Sequence, residues 1–408
     1  MRRGLVEKGI FSFPCGSGQP FQPMTILARH YRDKRWVEIS VSGNTATAKD
    51  AEVEGEGNWW IAPGLVDLQV NGYAGVDFQA PDVSVTSLKR AVRALHRDGC
   101  TRFLLTLITD HWEKLLAKLQ RLHGLVHGDP ELEEAIAGWH IEGPFLSPEE
   151  GYKGAHNADA MIDPVTEDLE ILKESLGDDD ILITLAPERN DAEHFIAYAS
   201  ELGIRTSVGH SNPTAEQLRV AVESGLSGIT HLGNACPREL DRHDNILWRL
   251  LDEPGLYTGV ICDGIHVRPP AFRLFHRAIP QDRIYYTTDA MSAAGAAPGQ
   301  YRLADMELEV GEDQVVRLPG TNYLAGSALR PWQGIVRAAA MLDRPWQQVW
   351  DHFSTVPCEF MGIQPGEEWM ELGDFCLMRW DGNQQVEWKT YLRGNLVGEE
   401  VWGEGRAS

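Results

Sequence analysis

Four short apolar segments carry, at or next to their ends, residues that bind metals or move protons. Ile136–Glu142 closes on Glu142, Ile204–His210 on His210 and Arg283–Asp289 on Asp289, while Gly228–Leu232 carries His231. An imidazole buried at the end of an apolar strand is costly unless a partner satisfies it. For one histidine a backbone carbonyl is the simplest partner. For two, with a carboxylate on a third segment, a metal is the better explanation, because neutral imidazole and carboxylate are ordinary ligands of divalent ions. Glu142, His210 and His231 make a His2Glu set that leaves a position open for water, whose pKa a cation brings down to about 7. Gly143-Pro144 follows the carboxylate at once and turns the chain at that point. Asp289 is then the candidate acid/base, taking a proton from water and passing it to a leaving nitrogen. Its competing reading is a helix N-cap.

The remaining histidines say less. His30, His96, His111, His123 and His127 lie in polar surroundings and read as solvent-exposed. Gln69 and Asn71, in a further apolar segment, are amides, which bind transition metals poorly beside imidazole and carboxylate. They suit water or substrate better. One divalent metal per chain is therefore expected, zinc first, with iron, manganese or cobalt as alternatives.

Eight segments alternate with amphipathic stretches in the manner of βα units. They are Pro63–Gly72, Thr101–Ile108, Ile136–Glu142, Asp180–Ala186, Ile204–His210, Gly228–Leu232, Tyr257–Asp263 and Arg283–Asp289. Helices are expected between them, as at Ser87–Arg97 and Ala215–Ser224, the latter entered through Pro213-Thr214 and followed by Gly225. This pattern predicts an α/β fold of the TIM type, a (β/α)8 barrel over residues 62–364. Glu142, His210, His231, Asp263 and Asp289 all fall at the C-terminal ends of strands, the rim where such barrels build their sites. A doubly wound open sheet would gather its ligands at one switch point and fits less well. The two ends, residues 1–61 and 365–408, alternate in polarity, and Asp381-Gly382-Asn383 signals a hairpin. Neither end alone has enough strands for a core, so together they are expected to form one small β-sandwich domain.

Composition excludes other classes. Against 37 basic residues stand 60 acidic ones, a net charge of -23, which repels nucleic-acid phosphate and anionic lipid. The six cysteines, Cys15, Cys100, Cys236, Cys262, Cys358 and Cys376, form no C-x-x-C pair and suggest neither a disulfide framework nor a thiolate metal site. No segment approaches the roughly 20 apolar residues of a membrane span, and the N-terminus lacks a signal-peptide core. A cytoplasmic enzyme without nucleic-acid or membrane partners is expected. An anionic substrate would need a local basic group.

Seven motifs, PGLVDLQVNG, HIEGPFL with KGAHN, VGHSNPTAEQ, THLGNACP, CDGIH, TTDAMSAAG and LAGS, follow one another between Pro63 and Ser327. In this order they resemble the N-acetylglucosamine-6-phosphate deacetylase family of amidohydrolases. The resemblance implies deacetylation of an N-acetylhexosamine 6-phosphate by a homodimer. It implies that Glu142, His210 and His231 hold the metal and that Asp289 is the acid/base. It also implies that His266 stands at the reacting carbonyl, that His156 contacts the sugar, and that Asn234, Ala235 and Arg242 contact phosphate. Arg242 and His266 can, on this resemblance, serve the other subunit's site. Where many amidohydrolases carry H-x-H for a further metal, this chain has Gln69-Val70-Asn71. It departs from the family pattern at Gly233, where an aromatic residue is usual, and at Cys236, where methionine is usual. A different N-acyl or cyclic amide substrate is the nearest alternative activity. A catalytically silent binding relative is a remoter one, since every expected ligand and Asp289 are present.

Overall fold

The computed structural model describes residues 24–401, except 44, 54–57, 320–323, 365 and 382–383. The hairpin tip at Gly382-Asn383, the N-terminal segment with Cys15, and the expected boundary at Pro365 lie outside the described residues.

Eight parallel strands pair in chain order: Leu65–Val70, Cys100–Ile108, Ile136–Glu142, Asp180–Leu185, Arg205–Val208, Gly228–Ile229, Tyr257–Ile261 and Ile284–Thr287. All eight lie within or next to the segments expected to hold them. The first and last strands approach each other through a parallel bridge between Val70 and Ala290. Asn71 N donates to Ala290 O at 2.7 Å. Deeper down, the buried Asp67 carboxylate accepts from the Thr287 and Thr288 hydroxyls at 2.6 and 2.5 Å. These three hydrogen bonds link strand one to the end of strand eight, which brings Asn71 and Asp289 to the same point of the rim.

Local sequence explains the helices that space these strands. Ser84 and Ser87 form a capping box at the start of Val85–Arg97, and Thr214 with Gln217 does so for Ala215–Glu223. The latter stops at Ser224, with Gly225 at φ +115° just beyond, so both ends of this helix follow the signals in the sequence. After the last strand, Gly299–Leu303, Met306–Val310 and Val316–Arg317 form a three-stranded antiparallel sheet. Nothing in the reading above anticipated it, although Met306–Val310 alternates exposed and buried side chains.

The two chain ends form one β-rich domain, as expected. Its strands are Met24–His30, Trp36–Ser42, Thr45–Asp50, Trp59–Pro63, Phe375–Asp381, Gln384–Leu392 and Asn395–Val401. They are hydrogen-bonded in a ring, so the two walls expected of a sandwich belong to one closed sheet without free edges. Trp59–Pro63 pairs with Phe375–Asp381 as far as Pro63, slightly past the boundary expected at residue 61. A buried Arg102–Asp374 ion pair and a hydrogen bond from Thr390 Oγ1 to His96 O at 2.6 Å fasten the domain beneath the barrel. This overturns the exposed reading of His96, which is 3% exposed at that junction. His30 is buried too, stacked on Trp369. Polar neighbours in the chain did not reveal that the opposite chain end covers both.

Candidate active site

Glu142, His210 and His231 come from three strands and meet at the barrel mouth, all buried. His231 Nε2 lies 2.9 Å from Glu142 Oε1, and His210 Nε2 lies 3.3 Å from the same oxygen. The backbone at His210, His231 and Asp289 is left-handed, with φ of 51°, 32° and 51°. Such conformations cost about 1–3 kcal/mol each and persist where the surroundings impose them, as at active sites. Here they aim the side chains of the strand ends across the mouth.

The loop between Glu149 and Asn157 gives His210 its tautomer. His210 Nδ1 donates to Tyr152 O at 3.0 Å, which leaves the lone pair at Nε2 facing Glu142. Gly154, at φ +58°, lies under the ring; an added Cβ would stand 2.9 Å from His210 Cε1. The same loop delivers His156, whose ring centre is 4.3 Å from that of His210. Thr109, which sequence reasoning missed, holds it: Thr109 Oγ1 is 2.8 Å from His156 Nδ1 and donates to Glu142 O at 3.2 Å. Gly143, at φ +89°, leaves room for that hydroxyl, since a Cβ there would come within 2.1 Å of it. No motif signal marks Thr109 except its place directly after the second strand.

These donors fit a divalent cation. Two acceptors, His210 Nε2 and Glu142 Oε1, face each other at 3.3 Å, and only a proton or a cation reconciles them. Without a cation, protons do so. Burial opposes the charged form of both Glu142 and His231, but hydrogen bonds from His210 and then His231 hold the Glu142 carboxyl well below its usual range, and the bond to Glu142 raises the His231 imidazole. Loading the site with a divalent ion replaces those protons.

Asp289 stands opposite. Asn71 Nδ2 donates to Asp289 Oδ1 at 2.7 Å, so Asn71 positions the acid/base candidate. Burial, and after it the charge of Glu142, push the Asp289 carboxyl up to about 7. Its N-cap reading falls away: the residues after it bridge to strand one and to Ser327 rather than opening a helix. Gln69 shares the inward face of strand one with Asp67 and Asn71. Among the described residues, Gln69 Nε2 and Asn71 Oδ1 are buried without a hydrogen-bond partner, which suits groups that bind water or substrate.

His266 is oriented by Asp263, which accepts from His266 Nδ1 at 2.6 Å and from the Ile265 and His266 backbone N–H groups at 2.7 and 2.8 Å. This explains the DGxH spacing as a short acidic turn that turns one ring nitrogen inward to Asp263 and frees the other.

No family model matches the chain. Individual proteins do. The N-acetylglucosamine-6-phosphate deacetylase of Vibrio furnissii is 32% identical over 338 residues, 83% of this chain and 82% of that protein. Its Mus musculus counterpart is 32% identical over 352 residues, 83% of each chain. The chain belongs to the N-acetylglucosamine-6-phosphate deacetylase family. A solved N-acetyl-D-glucosamine-6-phosphate deacetylase from Mycobacterium smegmatis has the same fold, with a TM-score of 0.77 at 26% identity over 89% of this chain and 96% of that one.

As a member of the N-acetylglucosamine-6-phosphate deacetylase family, the chain is an amide-bond hydrolase of the amidohydrolase superfamily. Its His2Glu cluster supplies the candidate divalent-metal site of that superfamily. Asn234 and Ala235 lie on the loop after His231, with Asn234 Nδ2 donating to His231 O at 3.2 Å. Arg242, further along that loop, is exposed, and its guanidinium forms no contact with the cluster among the described residues. At the two departures, Phe275 packs beside Gly233, 3.2 Å from where a Cβ would stand, and Cys236 takes no part in the metal cluster. No helix among the described residues is long and apolar enough to cross a membrane.

Proposed function

We propose that this chain removes the acetyl group of N-acetylglucosamine-6-phosphate, or of a close N-acetylhexosamine 6-phosphate, releasing acetate and the amine. The observation that carries this reading is the placement of Asp289, held by Asn71, across the mouth from the Glu142–His210–His231 cluster. The names of the related proteins support the substrate class.

Glu142, His210 and His231 would hold a divalent cation, which would supply Lewis acidity when bound; zinc suits this donor set, with iron, manganese and cobalt as alternatives. Asp289, held by Asn71, takes the proton from the attacking water and delivers it to the departing nitrogen. As an imidazolium, with Nδ1 donating to Asp263, His266 donates from Nε2 toward the carbonyl oxygen as negative charge develops there. His156 binds a sugar hydroxyl, and Gln69 and Asn71 order water beside the acetamide. Asn234, Ala235 and Arg242 bind the phosphate, with Arg242 as the local cation that so acidic a protein requires. Arg242 is exposed, which suits a role, implied by the family resemblance, in the site of a neighbouring subunit of a cytoplasmic homodimer.

Asp289→Asn tests the chemistry. The variant is expected to retain metal and to bind the phosphorylated sugar while losing nearly all turnover. A variant with wild-type kcat would remove Asp289 from the reaction.

A further inference from the structure

At the opposite end of the barrel, away from the catalytic mouth, three more ligand groups converge. His123 and His127 lie one turn apart near the end of helix Trp112–His127, on one face of it. Asp179 immediately precedes strand Asp180–Leu185, at the N-terminal rim. Asp179 Oδ2 is 3.1 Å from His127 Nε2 and 3.5 Å from His123 Nε2, and the three donor atoms all lie within 4.8 Å of one another. Tetrahedral coordination at zinc–ligand distances of about 2.0–2.2 Å places neighbouring donors roughly 3.3–3.6 Å apart, close to this spacing.

The surroundings are those of a ligand set rather than a chance cluster. Glu133 Oε1 is 2.9 Å from His127 Nδ1, the carboxylate–histidine arrangement that fixes a metal-binding tautomer. Trp139 Nε1 donates to Asp179 at 2.8 Å and orients the carboxylate. The three side chains are 27%, 36% and 23% exposed, so an ion could enter and keep water as a further ligand. The competing account is an imidazolium at His127 bridging Glu133 and Asp179. That account involves His127 alone, whereas His123, which also hydrogen-bonds the Leu176 backbone, has its ring centre 4.3 Å from that of His127 and its Nε2 3.5 Å from the same oxygen.

We propose that His123, His127 and Asp179 bind a borderline divalent transition ion, Zn2+ first, which pins the end of helix Trp112–His127 to the segment entering strand Asp180–Leu185. The ion is structural, its site lies at the end of the strands remote from the catalytic rim, and the mouth itself keeps a single metal. This brings the capacity of the chain to two.

The test is metal content and melting temperature of the holoenzyme dialysed against micromolar Zn2+, for the wild type, His123→Ala and His127→Ala. Two equivalents are expected in the wild type and one in each variant. Glu142→Gln, which disables the mouth, should keep the second ion. Raising occupancy from one to two should raise the melting temperature of the wild type but not of His123→Ala. His123→Ala removes the ligand that does not bridge the two acids, so it serves if His127→Ala fails to fold. A wild type that stops at one equivalent, or variants that still hold two, would overturn the proposal.

Discussion

Asn71 Nδ2 lies 2.7 Å from Asp289 Oδ1, a hydrogen bond between residues just past the first and last strands of the barrel that fixes the acid/base candidate in place. Closure of the barrel and orientation of Asp289 are thus one structural fact, because the bridge at Val70 and Ala290 sets both residues at the same height.

Asn71→Ala should therefore impair turnover without emptying the metal site. A hydrogen bond to a charged group contributes about 1.5–3 kcal/mol, which corresponds to roughly a ten- to hundredfold fall in kcat. Steady-state kinetics with metal analysis decide it. An unchanged kcat would mean that Asp289 needs no such support.

Metal loading should release protons. Without a cation, Asp289 sits near 7, raised by burial and by Glu142, and His231 is also raised through its bond to Glu142. A divalent ion favours the deprotonated form of both, so affinity should strengthen as pH rises from 6 to 8. Calorimetric titration in buffers of different ionisation enthalpy measures the release, and Asp289→Asn should reduce it. A pH-independent affinity would contradict the linkage.

How much of this was legible beforehand follows physical lines. Strand ends at Glu142, His210 and His231 could be read because burial of a polar group after an apolar segment is a local signal. Thr109 and Tyr152 could not, since they act through a hydroxyl and a backbone carbonyl brought in by folding. The misread burial of His96 and His30 has the same origin: their covers come from the far end of the chain. The closed ring of the small domain depends on pairings between termini, which no local periodicity encodes.

Acid should destabilise the fold. Burial depresses His96, His140 and His352 to about 4 and His276 to about 3, below the ordinary value near 6.5. Groups with depressed folded-state values of this kind stabilise fully above pH 6.5 and lose that contribution as pH falls toward 4, each by up to about 1.4 kcal/mol per pH unit. Asp67 and Asp77, raised to about 6 by burial, act in the opposite direction below pH 6 and offset part of the loss. The melting temperature should fall from pH 7 to 5, less steeply in His352→Gln, whose amide can still donate to Ile284 O. Parallel curves for the two proteins would exclude His352 as a contributor.

Arg242→Ala should raise KM for a phosphorylated substrate by roughly tenfold or more, the worth of a charge-assisted contact, with kcat nearly unchanged. Mixing it with Asp289→Asn asks where Arg242 acts. Recovered activity in the mixed dimer would show that it serves the neighbouring subunit, and no recovery would place it in its own.

The measurement closest to the central claim is acetate release by the metal-loaded protein from N-acetylglucosamine-6-phosphate, with its galacto and manno epimers and the unphosphorylated sugar alongside. Rapid release that requires the phosphate is the predicted result. Absence of release from every phosphorylated sugar, with the Glu142–His210–His231 site filled, would contradict the proposed activity.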